Sequence, residues 1–141
     1  MADTLRAWDV TTACLNSGGS TALALAPPAD SSGWPIGLGE GHVHRTLSLI
    51  HSALSGSGVA VKGEHLIDPR TRAPATRTAR AWSLASSGAL ADALSTAFFV
   101  MSERDVVEFC ATHPEVGAAL TGADGQLFVH GALRDAPGFP A

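Results

Sequence analysis

Apolar residues recur along the chain in short runs, broken at brief intervals by glycine, proline or serine. The opening ADTLRAWDV (2–10) has helical spacing: Leu5, Trp8 and Val10 share a face, and Asp3 sits near the N-terminal end of the dipole. It reads as the last turns of a helix that begins before the sequence does. TACLN (12–16), taken as a short buried strand, and TALALA (21–26) follow, joined by a turn at SGGS. Pro27, Pro28 and Gly33 then exclude regular structure. WPIGLGE (34–40), RTLSLIH (45–51) and SALSGSG (52–58) read as further strands, as does TRTARAWSLAS (76–86), alternating through Ala79, Ala81 and Ser83.

The helix signals come later. GALADALSTAFFVM (88–101) is rich in Ala and Leu, with Ser86 or Ser87 as its cap. SERDVVEFCATH (102–113) opens on a Ser-x-x-Asp capping pattern and is stopped by Pro114. VGAALTGADGQLFVHGAL (116–133) reads as a hairpin turning at Asp124-Gly125, and 134–141 as a flexible tail. Together these elements predict one α+β domain over 1–141, with a largely antiparallel sheet and helices packed on one side.

Composition narrows the function. With 141 residues, 45% hydrophobic and 16% charged, the chain can bury one core. A net charge of −4 disfavours nucleic acid and anionic membranes as partners. Locally the balance reverses: Lys62, Arg70, Arg72, Arg77 and Arg80 hold five of the nine basic residues. They form either a solvated loop or a pocket for phosphate oxygens. Cys14 and Cys110 lie far apart, which suits buried free thiols better than a disulfide or metal site. No apolar run is long enough to span a membrane, and no signal peptide is visible, so the expected compartment is the cytoplasm.

Three constellations could carry chemistry. Residues 88–101 are apolar nearly all round, which predicts a buried helix. Asp92 lies inside it, with Thr96 one turn on along the same face. A buried carboxylate needs a compensating partner. A carboxylate and a hydroxyl at this spacing are hard oxygen donors of the kind Mg²⁺ takes. The alternative is an Asp92 facing solvent and a Thr96 bonded to a backbone carbonyl. The second constellation is His65 with Asp68: a proton acceptor and a group that could orient it or bind a sugar or base edge, unless the turn is only structural. The third is LSGSGVAVKG (54–63), where Gly56, Gly58 and Gly63 allow close backbone approach to a ligand. The pair His42 and His44 reads as an exposed edge, and His51, His113 and His130 form no constellation.

ALSGSG, then EHLIDPRTRAP, then ADALSTAFFVM resemble, in order and interval, the T-S-G, H-I-I-D-P-R-T-G and A-D-A-L-A-T-A-L-F-V segments of the ApbE family. These are FAD:protein FMN transferases, once described as thiamine-biosynthesis lipoproteins. NSGGS and GWPIGLG resemble further motifs, so the likeness runs from about Ala2 to Met101. It implies an Mg²⁺-dependent transfer of FMN from FAD to a Ser or Thr hydroxyl of a target flavoprotein, with release of AMP. By resemblance, Asp92 and Thr96 are the metal ligands and His65 helps deprotonate the acceptor. Ser57, Gly58, His65, Leu66, Ile67 and Asp68 line the cofactor site. Charge alone suggests Lys62 or Arg70 for phosphate.

The chain departs from the family in three places: Gly56 stands for the Thr of T-S-G, Arg72 for the Gly after D-P-R-T, and Ser20 for the Asp of Gly-Gly-Asp. The resemblance also starts after the family's K-G-Y-x-x-D segment. The expectation is therefore a C-terminal half, with Met1 an internal methionine of a longer ancestor. The competing expectation is a non-catalytic remnant that binds flavin nucleotide weakly or packs against another chain. An apolar face left open by the missing half would favour a homo-oligomer. Relatives are often exported and lipid-anchored, which runs against the cytoplasmic expectation.

Overall fold

A computed structural model of the chain describes residues 1–39, 44–59 and 65–137. After helix α1 (Ala2–Ala7), strands β1 (Cys14–Ser17) and β2 (Thr21–Ala24) form a hairpin, and β3 (Trp34–Leu38) and β4 (Arg45–Leu49) form another. Strand β5 (Ala53–Gly58) leads to the two-residue strands β6 (Ile67–Asp68) and β7 (Ala73–Pro74), which pair with each other. Next come β8 (Thr78–Ala85), α2 (Gly88–Val100), α3 (Glu103–Thr112) and the closing hairpin β9 (Gly117–Gly122) and β10 (Leu127–Gly131). Six strands make one antiparallel sheet in the order β1-β2-β5-β8-β9-β10.

The sheet is covered on both faces, and the burial pattern of β8 shows how. Ala81 joins Phe98, Phe99, Val106 and Leu120 under α2 and α3. Its neighbour Trp82 points the other way, joining Leu38, Leu47 and Leu49 of the β3–β4 hairpin, together with Leu133 and Ala136. A strand covered on both faces has no need of polar alternation. That is why β9 (GAALTG) is buried along nearly its whole length. The helices lie on one side, as the sequence predicts, and the small hairpin forms a third layer opposite.

Local chemistry sets the element ends. Ser87 caps α2 by accepting from the Leu90 amide, and Ser102 with Asp105 completes a reciprocal capping box on α3. The β9–β10 turn falls at Asp124-Gly125, where Gly125 has φ +77° and Asp124 accepts from the Gln126 amide. In segment 134–137, Ala136 is buried and the Pro137 carbonyl accepts from the Ser48 amide at 2.9 Å.

Three expectations change. β1 is the sheet edge, with Asn16 and Ser17 exposed, rather than a buried strand. Helix α1 buries none of its residues, and Trp8 beside it is 79% exposed. Helix α2 is buried on one side only: Ala91, Ser95, Phe98 and Phe99 face the sheet, while Ala89, Leu90, Asp92, Ala93, Thr96 and Ala97 are exposed. Its apolar outer face reflects small, helix-favouring alanines, and among the described residues no layer covers it.

Candidate active site

A cavity of about 530 Å³ opens where β2 stops short of its neighbour. β5 pairs with β8 along its whole length, Ala53 to Gly58, but with β2 only from Ala53 to Ser55. Beyond that, the Gly56 amide donates to the Ser20 carbonyl at 2.9 Å. The β1–β2 turn, with Gly18 and Gly19 at φ +61° and +74°, bends the chain back there and brings Asn16 and Ser20 to the rim. Only glycine adopts such a pair of left-handed positions without strain.

Helix α2 supplies the opposite wall. Along its first turns the contact residues, Ala91 and Ser95, are small, and buried hydroxyls join the two layers. Ser83 Oγ donates to the Ala91 carbonyl, and Ser95 Oγ lies 2.9 Å from Ser57 Oγ of β5. Asp92 stands at the margin of this contact, its carboxylate over the cavity. Ser55 Oγ donates to Asp92 Oδ1 at 3.2 Å and lies 2.8 Å from Thr21 Oγ1, which is itself 3.4 Å from the same oxygen. Two hydroxyl protons cannot serve three contacts. The shorter distances favour a relay from Thr21 to Ser55 to Asp92, which pins one carboxylate oxygen. The expectation of a buried Asp92 is therefore corrected. The carboxylate is solvated, held by hydroxyls, and no ion pair is formed with it among the described residues.

Thr96 lines the same wall. Its Oγ1 donates to the Asp92 carbonyl at 3.3 Å, and Ser57 Oγ lies 3.1 Å from it and 2.9 Å from Ser95 Oγ. Thr96 thus spends its proton on the backbone and keeps lone-pair capacity toward the cavity. Both features of the bland reading are present, a solvated carboxylate and a back-bonded threonine, yet both side chains face one cavity.

His65 and Leu66 complete the lining from the far side of β5. The Leu66 carbonyl accepts from the Ala75 amide at 2.8 Å, which fixes the entry to the β6–β7 turn. Of the residues singled out in the sequence, Ser57, Gly58, His65, Leu66, Asp92 and Thr96 therefore converge on one cavity. Ile67 and Asp68 do not line it: Ile67 is 50% exposed, and Asp68 turns to Arg70. Arg70 gives its backbone amide to Asp68 Oδ1 at 2.9 Å and its guanidinium to both carboxylate oxygens, and donates also to the Val100 carbonyl. The hydrogen bonds from Arg70 hold the Asp68 carboxyl below the usual carboxylate range. Arg70 is thereby committed to the turn, while Lys62, Gly63 and His42 lie outside the described residues.

The three departures have local explanations or positions. A Cβ added at Gly56 would lie 2.8 Å from Trp82 Cδ1 and Nε1, so the indole occupies the room a threonine would need. Arg72 sits at φ +59°, a left-handed position that suits glycine. Ser20 remains exposed at the cavity rim. Sequence reasoning missed Thr21 and Ser55 as holders of Asp92 and Trp82 as cavity wall; of its basic group, offered as a solvated loop or a phosphate pocket, Arg80 is the member that lines the cavity among the described residues. Ser55 had a signal, since it shares a strand face with Ser57; Thr21 had none. The other histidines stay apart: His44 and His51 are exposed, His113 stacks on Phe109, and His130 lies 3.4 Å from Glu103.

The donors around Asp92 are all oxygens: one carboxylate and neighbouring hydroxyls. That set fits a hard divalent cation that completes its shell with water and phosphate, as Mg²⁺ does. Among the described residues no three His, Cys, Asp or Glu side chains cluster as a soft-metal site would require. Both cysteines are free, and burial raises the thiol pKa of each. No described helix is long and apolar enough to cross a membrane.

Fold and cavity together define an antiparallel α+β protein whose cavity lies where one strand ends, between a helix-borne carboxylate and a glycine-rich strand. The sequence profile of the ApbE family matches residues 1–120, and the chain belongs to that family. Among solved structures, the flavin transferase ApbE from Vibrio cholerae superposes with a TM-score of 0.79 at 21% identity, over 96% of this chain and 47% of that one. The ApbE protein of Thermotoga maritima gives 0.75 at 22%, over 96% and 47%. The Pseudomonas stutzeri flavinyl transferase ApbE gives 0.80 at 23%, over 99% and 46%. This chain therefore spans about half the length of the solved structures it matches. No curated protein matches it.

Proposed function

We propose that the cavity is a flavin-transferase site, in which FMN is moved from FAD to a serine or threonine hydroxyl of a target flavoprotein and AMP is released. The observation that carries this reading is the convergence of His65, Asp92 and Thr96, from two separate family motifs, on one cavity. The acceptor oxygen forms a bond to the FMN phosphorus, and the bond from that phosphorus to the bridging oxygen breaks, which leaves with AMP. His65 is suited to take the acceptor's proton, because an imidazole ring nitrogen carries a lone pair that can accept it. Asp92 and Thr96 are the residues that would hold Mg²⁺, which when bound neutralises charge on the diphosphate. The hydroxyls of Thr21 and Ser55 fix Asp92 Oδ1, so its second oxygen keeps one direction without reorganisation. Glycines at 56 and 58 leave room for the Trp82 indole and the Arg80 stem to lie across β5 and form that wall of the cavity.

A second reading has its own support. The outer face of α2 is exposed, with Leu90 at 41%, and the chain spans about half of the matched structures. On that reading the chain binds flavin nucleotide weakly, or works by packing against another polypeptide or a second copy that closes the cavity. One experiment separates the two. The purified chain is incubated with FAD, Mg²⁺ and a threonine-containing acceptor peptide, and the peptide is assayed for covalent flavin fluorescence and the added mass of FMN. Labelling that disappears in Asp92→Ala supports transfer. FAD binding without labelling supports the second reading.

A further inference from the structure

The cavity is polarised. Among the described lining residues, Asp92 is its one carboxylate and Arg80 its one arginine or lysine. Arg80 belongs to β8, directly opposite Gly58 of β5, and the next pair on the same face is Trp82 opposite Gly56. At both positions a large side chain lies across a glycine. A Cβ built on Gly58 would come 3.0 Å from Arg80 Cγ, as one on Gly56 would come 2.8 Å from the Trp82 indole. The stem of Arg80 therefore leans over β5 toward the side where β2 has ended, which is where the cavity opens. Arg70, which charge alone suggested for phosphate, lies outside the cavity lining.

We propose that Arg80 is the phosphate-binding residue of this cavity, gripping the phosphate oxygens of a nucleotide diphosphate ester. The proposal rests on the flavin-transferase reading for the identity of the ester, but not for its chemistry. A diphosphate brings negative charge into a space that already holds the Asp92 carboxylate, in a chain whose net charge is −4. A cation on the opposite wall offsets that repulsion whether or not a metal is bound. Guanidinium suits the task because its planar fork meets two phosphate oxygens at once. With five N–H groups it can also keep a bond within the protein while donating to a ligand. Half-burial strengthens such bonds by removing competing water. Trp82, on the same wall, gives the ester's organic part an apolar surface beside the charge.

The test titrates wild type, Arg80→Gln and Arg80→Lys with FAD, FMN and riboflavin, followed by flavin fluorescence with and without Mg²⁺. Riboflavin has the ring but no phosphate. In Arg80→Gln, affinity for FAD and FMN is expected to fall about 10- to 100-fold, with riboflavin unchanged and Arg80→Lys intermediate. The loss should persist without Mg²⁺. Equal losses for riboflavin would overturn the proposal, because the stem would then act only by packing; so would unchanged FAD affinity. Should wild type bind no flavin at all, the flavin reading fails, and calorimetry with inorganic pyrophosphate decides the fate of Arg80. Binding to wild type that vanishes in Arg80→Gln supports the anion site, whereas no binding to either, or equal binding to both, removes it.

Discussion

The two aspartates that stand out in the sequence meet opposite fates in the fold. Asp68 is closed off: its oxygens take the Arg70 amide and guanidinium, and the same guanidinium reaches on to the Val100 carbonyl at the end of α2. Asp92 is offered instead, held on one oxygen by hydroxyls and facing a cavity. The contrast separates a carboxylate that builds the protein from one available to a ligand. A carboxylate paired with guanidinium has its electrostatic need met inside the chain. One held by neutral hydroxyls has its direction fixed and its charge uncompensated, which is the condition for binding a cation.

The largest expected effect follows from that contrast. Asp92→Asn keeps size and hydrogen-bonding capacity but removes the charge. Covalent transfer of flavin should fall by about 100-fold or more, while the thermal midpoint stays within about 2 °C. Activity assays and thermal melts on the same preparation check both halves. A large drop in midpoint with activity retained would reverse the roles assigned to the two aspartates.

The cavity wall offers the next test. Restoring threonine at Gly56 would drive its Cβ against the Trp82 indole, which is only 7% exposed and has Leu38, Leu47 and Leu49 in its cluster. Overpacking of this kind costs about 1–3 kcal/mol. Denaturant titration should therefore place Gly56→Thr below wild type, and the loss caused by Gly56→Thr should be smaller when measured in a Trp82→Val background. If the single variant is as stable as wild type, the wall opposite Asp92 is soft, and the Trp82 indole yields without cost.

How much of this was legible in the sequence depends on what kind of signal each feature leaves. Strands, caps and the Asp124-Gly125 turn are local, and the sequence marks them: Ser87, Ser102 with Asp105, and Gly125 all act where they were expected. The convergence of His65, Asp92 and Thr96 was legible only through family motifs, because nothing in spacing says that residues from a loop and a helix share a cavity. The burial of α2 was misread because alanine marks helix preference as readily as burial, and the outer alanines serve the former. Thr21 and Trp82 were hidden for a different reason. Their roles arise from the register of β2, β5 and β8, and a one-residue slip would turn each to the other face.

Asp68 can be tested by titration. Its pKa lies below the ordinary 3.8 because of the Arg70 hydrogen bonds. A folded-state pKa below the unfolded value means that the unfolded chain binds more protons as the pH drops. The contribution of Asp68 is therefore fully present above about pH 4 and is lost as pH falls through the folded value. Asp68→Asn should be less stable than wild type by a constant margin at neutral pH, and the margin should shrink in acid. Unfolding followed at a series of pH values checks this, with flavin affinity as the second readout. If flavin affinity falls while stability holds, Asp68 belongs with the ligand site after all.

The smallest effect concerns the turn that Asp68 anchors. Arg72 donates its amide to the Asp68 carbonyl at 2.7 Å and holds φ at +59° to do so. A residue with a Cβ loses about 1–2 kcal/mol in that conformation, whereas glycine returns part of the gain through its greater freedom in the unfolded chain. The two terms leave Arg72→Gly more stable than wild type by about 0.5–1 kcal/mol, readable as a rise in denaturant midpoint at constant slope. Because the Arg72 side chain is exposed and lies outside the cavity lining, flavin affinity should not follow. Arg72→Ala separates backbone from side chain: it keeps the Cβ and should show none of the gain. If alanine stabilises as much as glycine does, the benefit comes from removing a positive charge near Arg70 and Arg77, and the left-handed backbone is not what limits the turn.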